Sequence, residues 1–338
     1  MRLVAALAAL LVFQSGGPGL AVAAAPASNL APGARVVLDA HNCYPYNGLW
    51  ADRIDRALSI GTPLAIEQDL VWFRDPATGK GRSLVAHDDS SKPALGLTGA
   101  EPSIRDYFFE RIRPLVERAL RERRTDMWPL VTLNLDFKTE EPEHIAAVWA
   151  LLNEYKDWLT TAPRVAGIDD VRPLTAGPLL VLTGESDAQR RAFHDAVPIG
   201  GKLLVFGAAK PRVTERPAAL PDVRPGARTN YHRWWNNPWS VVELGGQRRA
   251  GEWTADDNAR LVSLVKAAHA AGLWIRFYTL NGYDPADASG GWTASYNFGS
   301  EDAARERWRA AIRAGVDFIA VDQYERFGQV LREMRANR

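Results

Sequence analysis

The chain has 338 residues, 46% of them hydrophobic and 24% charged, and 41 basic residues almost cancel 40 acidic ones to leave a net charge of +1. This is ordinary globular composition, and the balance argues against nucleic acid or an anionic membrane as an obligate partner. The one cysteine, Cys43, excludes an intramolecular disulfide, so an exported chain must be held by its core and by any metal it takes.

The chain opens on a targeting pattern. Met1-Arg2 supplies a positive start, Leu3 to Phe13 an apolar core, and Ala21-Val22-Ala23 a small-residue cleavage signature. Residues 1–23 are expected to be a cleaved signal peptide that sends the protein to a secreted or periplasmic location. The apolar run is too short to span a bilayer, so the mature chain is expected to lack a transmembrane segment. Residues 24–33 read as a flexible leader without a packing role.

From residue 34 onward, short apolar β-rich runs alternate with longer helical patterns. The expected strands are Ala34 to Ala40, Pro63 to Trp72, Trp128 to Lys138, Gly177 to Thr183, Lys202 to Phe206, a weak sixth at Ala227 to His232, Leu273 to Leu280, and Asp317 to Val321. A hairpin-like excursion after the second strand runs from Ser83 to Ala86 into His87. Helices are expected around Trp50 to Ile60, Ser103 to Arg123, Glu141 to Thr160, Ser186 to Ala196, Thr254 to Ala271, Ser300 to Ala314 and Tyr324 to Arg335, with Ser103 and Thr254 as N-caps and Gly272 as a stop. Eight strands separated mostly by helices predict a single-domain (β/α)8 TIM barrel over residues 34–338. A doubly wound open sheet is the alternative, but no Gly-rich phosphate loop follows the first strand.

In such barrels the active site lies at the C-terminal ends of the strands. Polar residues gather there in this sequence: His41-Asn42 after strand one, Glu67 and Asp69 on strand two, His87-Asp88-Asp89 after the excursion, Asp136 and Lys138 on strand three, Arg276 and Tyr278 on strand seven, Asp322 after strand eight. Residues two apart on a strand share a face, so Glu67 and Asp69 project side by side from an apolar strand. That pairing is costly unless a proton or a cation lies between them. Adding Asp136 makes a hard oxygen site suited to one divalent cation, Mg²⁺ or Ca²⁺. The absence of cysteine ligands argues against structural zinc. His41 and His87 flank the acids as a general acid and a general base would, and Lys138 offers a cation suited to an anionic phosphodiester. Cys43, two residues from His41, reads as a buried filler, because neighbours in sequence do not supply the geometry a thiol nucleophile needs.

The ordered set His41-Asn42, Glu67-x-Asp69, His87-Asp88 and Asp136-x-Lys138, closing on Gly315-Val316-Asp317-Phe318-Ile319-Ala320-Val321-Asp322, resembles the glycerophosphodiester phosphodiesterase family of the phospholipase-C-like barrels. The resemblance spans about residues 35 to 330. It implies a metal-dependent phosphodiesterase in which His41 and His87 are the paired acid/base, Glu67, Asp69 and Asp136 hold the metal, and Lys138 neutralises phosphate. It also implies attack on phosphorus by a substrate hydroxyl or water, with a cyclic phosphate as a typical intermediate. The chain departs from that family after its first histidine, where Asn42 and Cys43 stand in place of Arg-Gly. Asn42 is therefore counted with Lys138 among the substrate-binding candidates, and Arg276 is expected to face inward and to replace the missing phosphate grip. His-Asn with Asp-x-Lys is also similar to the spider-venom phospholipase D branch, so the expected substrate widens to a small-molecule or lipid-headgroup phosphodiester.

Two readings from other classes stay open at this point: a glycoside hydrolase using barrel-end carboxylates with aromatic subsites, and a non-catalytic ligand-binding barrel. The chain holds 12 tryptophans, three of them in Tyr231 to Trp239 (YHRWWNNPW), which reads as a loop region. They serve either as a stacking platform at the mouth or as packing on the outer rim.

Overall fold

The computed structural model describes residues 29–45, 51–87, 97–216, 219–244, 251–282 and 298–337. The expected signal peptide, residues 24–28 of the leader, and Asp88 and Asp89 lie outside the described residues. Eight parallel strands close a barrel: β1 (Val37–Ala40), β2 (Leu64–Arg74), β3 (Val131–Phe137), β4 (Leu179–Thr183), β5 (Phe206–Ala208), β6 (His232–Pro238), β7 (Trp274–Tyr278) and β8 (Phe318–Val321). Closure is direct, since β1 pairs in parallel with β8 on one side and with β2 on the other. The (β/α)8 TIM barrel expected from the alternation of elements is therefore the fold.

The helices in chain order are α1 (Arg53–Ser59), α2 (Glu110–Glu122), α3 (Pro142–Glu154), α4 (Asp187–Arg190), α5 (Ala255–Ala270), α6 (Glu301–Ala314) and α7 (Tyr324–Ala336). Their boundaries follow local chemistry. Ser103 accepts from the Asp106 N–H at 3.2 Å to open the turn that leads into α2. Thr254 and Asp257 form a reciprocal capping box on α5. Gly272, at φ +73°, takes the left-handed conformation that ends that helix. Among the described residues, a two-stranded hairpin (Arg212–Thr214 with Asp222–Arg224) stands between β5 and β6 where other connections carry a helix. Beyond the barrel rim β2 continues, and Gly81–Val85 pairs antiparallel with its outer half. This is the excursion read from the turn signals. No helix among the described residues is long and apolar enough to cross a membrane.

Strand alternation divides the interior. Val37, Ala65, Leu180, Trp234, Trp274 and Phe318 fill the lower barrel, while Leu38, Ile66, Leu133, Val181, Ile275 and Ile319 face the helices. Above the apolar plug the inward positions turn polar, and the site is built there.

Three expectations are corrected. Lys202–Leu203 is not a barrel strand; it leaves the barrel to pair antiparallel with Ala162–Pro163, and the barrel register passes to Phe206–Ala208. The sixth strand is His232–Pro238 and not the stretch before it, so the tryptophan-rich segment is strand in place of loop. Trp234, Trp235 and Trp239 are fully buried, and Trp234 donates its indole N–H to the Thr183 carbonyl at 2.9 Å. Trp234 packs inside the barrel, and Trp235 and Trp239 pack in the layer outside its wall, so the packing reading holds for those two and none of the three forms an open platform. Third, the end of the leader packs: the Gly33 N–H donates to Asp317 Oδ1 at 2.7 Å and the Leu30 carbonyl accepts from Trp274 Nε1 at 3.1 Å, which closes the lower end of the barrel.

Candidate active site

Glu67 and Asp69 point inward from β2, and register sets Asp69 directly opposite Asp136 on β3. Glu67, Asp69 and Asp136 each offer an oxygen, and the three oxygens lie within 4.8 Å of one another. Lys138 Nζ donates to Asp136 Oδ2 at 2.7 Å and to Asp69 Oδ2 at 3.1 Å. His41, one residue past β1, lies with Nδ1 2.9 Å from Asp322 Oδ1 and Nε2 3.4 Å from Glu67 Oε2. A histidine with an acid on each nitrogen is oriented and favours its charged form.

Electrostatics follow from burial and neighbours. Burial alone would raise the Glu67 pKa, but Arg276, then His41 and Lys138, hold it down to about 2. Burial pushes Asp69 up to about 8: Lys138 opposes the rise, but it is shared with Asp136, and the charges of Asp136 and Glu67 add to it. Burial works to lower the His41 pKa and is outweighed by Glu67 and Asp322, so the net shift is upward. Burial drives the Cys43 thiol up to about 12, which leaves no thiolate for nucleophilic attack.

Do these residues fit a cation? Asp69 Oδ1 is buried and makes no hydrogen bond. An orphaned carboxylate oxygen beside two further acids is what a divalent ion would satisfy. Five carboxylates, Asp39, Glu67, Asp69, Asp136 and Asp322, face three permanent cations, Arg53, Lys138 and Arg276, so the centre carries excess negative charge unless protons or a cation enter. The donors are oxygens, with no thiolate among them. The set fits a hard divalent cation.

Two substrate-binding expectations meet a different geometry. Arg276 is buried and all three of its nitrogens are taken: Nε donates to Asp39, Nη2 to Glu67 Oε1 at 3.0 Å and Nη1 to Asn236 Oδ1 at 3.1 Å. It is the internal counter-ion of an acid cluster, and three of its five N–H donors are spent inside the barrel. Asn42 is also turned inward, with its N–H on Glu67 Oε2 at 3.1 Å and its amide on Asp322 Oδ1 at 3.2 Å. At φ +51° it takes the left-handed turn, which asparagine tolerates better than most residues. His87 is half-buried, two residues beyond the accessory strand, where the Ala86 N–H donates to the Asp69 carbonyl at 3.1 Å.

Sequence reasoning missed several partners. Asp322 was visible at the end of β8 but had no role. Asp39 shares the inward face of His41 and pairs across the barrel with Arg276. The Tyr44 hydroxyl lies 2.8 Å from Asp69 Oδ2 and 3.0 Å from Asn42 Oδ1, and can donate to either. Tyr278, above Arg276, stacks on His41 with ring centroids 6.3 Å apart.

Fold and site define a (β/α)8-barrel protein with a carboxylate, lysine and histidine centre at the C-terminal mouth, where such barrels carry their chemistry. No family model matches the chain, and no curated protein matches it by sequence. Among solved structures it is similar to a glycerophosphoryl diester phosphodiesterase from Parabacteroides distasonis, at 13% identity and a TM-score of 0.42, covering 89% of this chain and 87% of that one. It is also similar to a glycerophosphodiester phosphodiesterase from the same organism, at 13% identity and a TM-score of 0.47, covering 89% and 98%.

Proposed function

We propose that the chain is a secreted, metal-dependent phosphodiesterase that cleaves a glycerophosphodiester or phospholipid-like phosphodiester. The observation that carries this reading is the cluster of Glu67, Asp69 and Asp136 with Lys138 against it and the Asp69 Oδ1 oxygen left without a partner. Glu67, Asp69 and Asp136 would hold one Mg²⁺ or Ca²⁺, which when bound offsets the charge of the phosphoryl oxygens.

The chain's own residues supply the rest. Asp322 fixes His41 with Nδ1 toward the carboxylate, so Nε2 is the nitrogen that faces the acid cluster and the reacting group. Burial lowers its pKa, and Glu67 and Asp322 more than offset that; the net upward shift favours the protonated imidazole, the form that can give a proton to the leaving oxygen. His87 is assigned the opposite task, taking a proton from the attacking hydroxyl or water. Lys138, bound to two acids and partly exposed, presents its remaining N–H to a phosphate oxygen. A glycoside hydrolase would need neither the lysine nor the histidine placed in this way.

The test is ³¹P NMR of products from a panel of glycerophosphodiesters and lysophospholipids, with chelator and with Mg²⁺ or Ca²⁺ restored. Cation-dependent loss of the diester resonance, absent in His41→Ala, is expected. An intact diester under every condition, or hydrolysis indifferent to chelator, overturns the reading. Export is tested separately by N-terminal sequencing of the mature protein, with cleavage after Ala23 expected.

A further inference from the structure

The turn that follows β1 ties together more of the site than any other segment. Asn42 gives its N–H to Glu67 and its side-chain amide to Asp322, while Tyr44 brings its hydroxyl to Asp69. His41, at the start of the same turn, is set against Asp322. Four site residues therefore depend on the path of three backbone units, one of them in the left-handed region.

That path is held from outside the barrel. Because β1 ends at Ala40, the buried carbonyls of His41 and Asn42 lie beyond the sheet ladder; that of Asn42 accepts from the Tyr44 N–H at 2.9 Å, and both have room for a further donor. Arg53, in the first turn of α1 and fully buried, donates to both: Nη1 lies 3.0 Å from the Asn42 carbonyl and 3.3 Å from that of His41. Tyr324, at the start of α7, accepts from the same nitrogen at 3.0 Å and donates its own hydroxyl to the His41 carbonyl at 2.6 Å. A charged side chain placed between a helix and the barrel wall is costly, and an apolar residue of similar length would fill that space. What Arg53 adds is directional hold on two carbonyls.

We propose that Arg53, acting with Tyr324, is the positioning residue of this site: it fixes the turn at Asn42 through the His41 and Asn42 carbonyls, and the turn fixes His41, Glu67, Asp69 and Asp322. Neither residue touches substrate. The proposal rests on the phosphodiesterase reading for its kinetic readout, and on the fold alone for its spectroscopic one.

The experiment compares the full-length wild type with Tyr324→Phe, Arg53→Met and Arg53→Lys. Two quantities are read: kcat and KM on bis-p-nitrophenyl phosphate, and the imidazole ¹⁵N–¹H signal of His41, assigned by its loss in His41→Gln. Tyr324→Phe is expected to lower kcat about tenfold with little change in KM, because a displaced group and not a lost contact is responsible. The His41 signal should shift in Tyr324→Phe, move further in Arg53→Met, and return part of the way in Arg53→Lys. Wild-type kcat, or a wild-type His41 signal, in folded Tyr324→Phe overturns the proposal. If Arg53→Met fails to fold, Tyr324→Phe decides, since it removes one hydroxyl and keeps the ring. Should the wild type hydrolyse no phosphodiester, the functional reading falls, and the imidazole signal still decides the positioning claim.

Discussion

Arg276 donates through Nη2 to Glu67 Oε1 at 3.0 Å, reaching across the barrel interior from β7 to β2. Its Nε is bound to Asp39 on β1, so one guanidinium joins acids from two adjacent strands beneath the mouth. The site thus stands on a buried ion network. Arg276 holds Glu67 ionised and in place.

The network makes a quantitative prediction about stability. Arg276→Gln alone strands the Asp39 carboxylate in the interior and is expected to cost about 3–5 kcal/mol. Adding Asp39→Asn removes the stranded charge, so the double variant should be less destabilised than the sum of the singles, by about 0.5–3 kcal/mol. Urea denaturation of the four proteins measures this coupling. Strict additivity would show that the two residues do not act as a pair.

The tryptophan-rich strand separates packing from recognition. Trp235 is fully buried on the outward face of β6, in the layer between sheet and helices. Trp235→Ala should therefore lower stability by about 3–5 kcal/mol, the usual cost of emptying a large core site. At a temperature where the variant remains folded, KM for a phosphodiester should stay at the wild-type value. A raised KM with unchanged stability would restore the stacking-platform reading.

Much of the fold was legible because β1, β2 and β3 are apolar runs with a clear period of two, and α5 carries its cap and stop in the sequence. The inward acids could be read from the same alternation. Strand six was not legible: Asn237-Pro238 and the polar Arg233 look like turn chemistry, and only their parallel pairing with β5 and β7 shows them as strand. Strand five was misplaced because Lys202–Leu203 has the composition of a barrel strand yet pairs elsewhere. The partners of Arg276 and Asn42 depend on register between strands far apart in the chain. Asp39 and Arg276 are separated by 237 positions, and local pattern says nothing about such a pair.

His232 predicts an acid limb to the stability curve. Burial, with Arg190, His194 and Lys210 adding to it, pulls its pKa down to about 4 from an ordinary 6.5. The folded state then binds this proton less tightly than the unfolded chain. The stability it contributes is fully present above about pH 6.5 and is lost as pH falls toward 4. His144 and His194 are shifted in the same direction, chiefly by burial. His232→Gln should shallow the fall in Tm between pH 6.5 and 4 without abolishing it. An unaltered slope would mean that the acid limb arises elsewhere.

The orphaned oxygen of Asp69 gives the most direct test of the cation. With burial and the charges of Asp136 and Glu67 already pushing its pKa up to about 8, the ionised side chain is costly in cation-free protein. A neutral amide relieves that cost, so in chelator Asp69→Asn should melt no lower than the wild type. The wild type should gain stability with Mg²⁺ or Ca²⁺, by about 2.7 kcal/mol at a hundredfold excess over Kd. Asp69→Asn should lose that gain, because it keeps the shape of the side chain and removes the charge a hard cation requires. Differential scanning fluorimetry with and without chelator reads both effects. If Asp69→Asn is stabilised by the cation as strongly as the wild type, the ion is held elsewhere, and Asp69 Oδ1 answers to some other group.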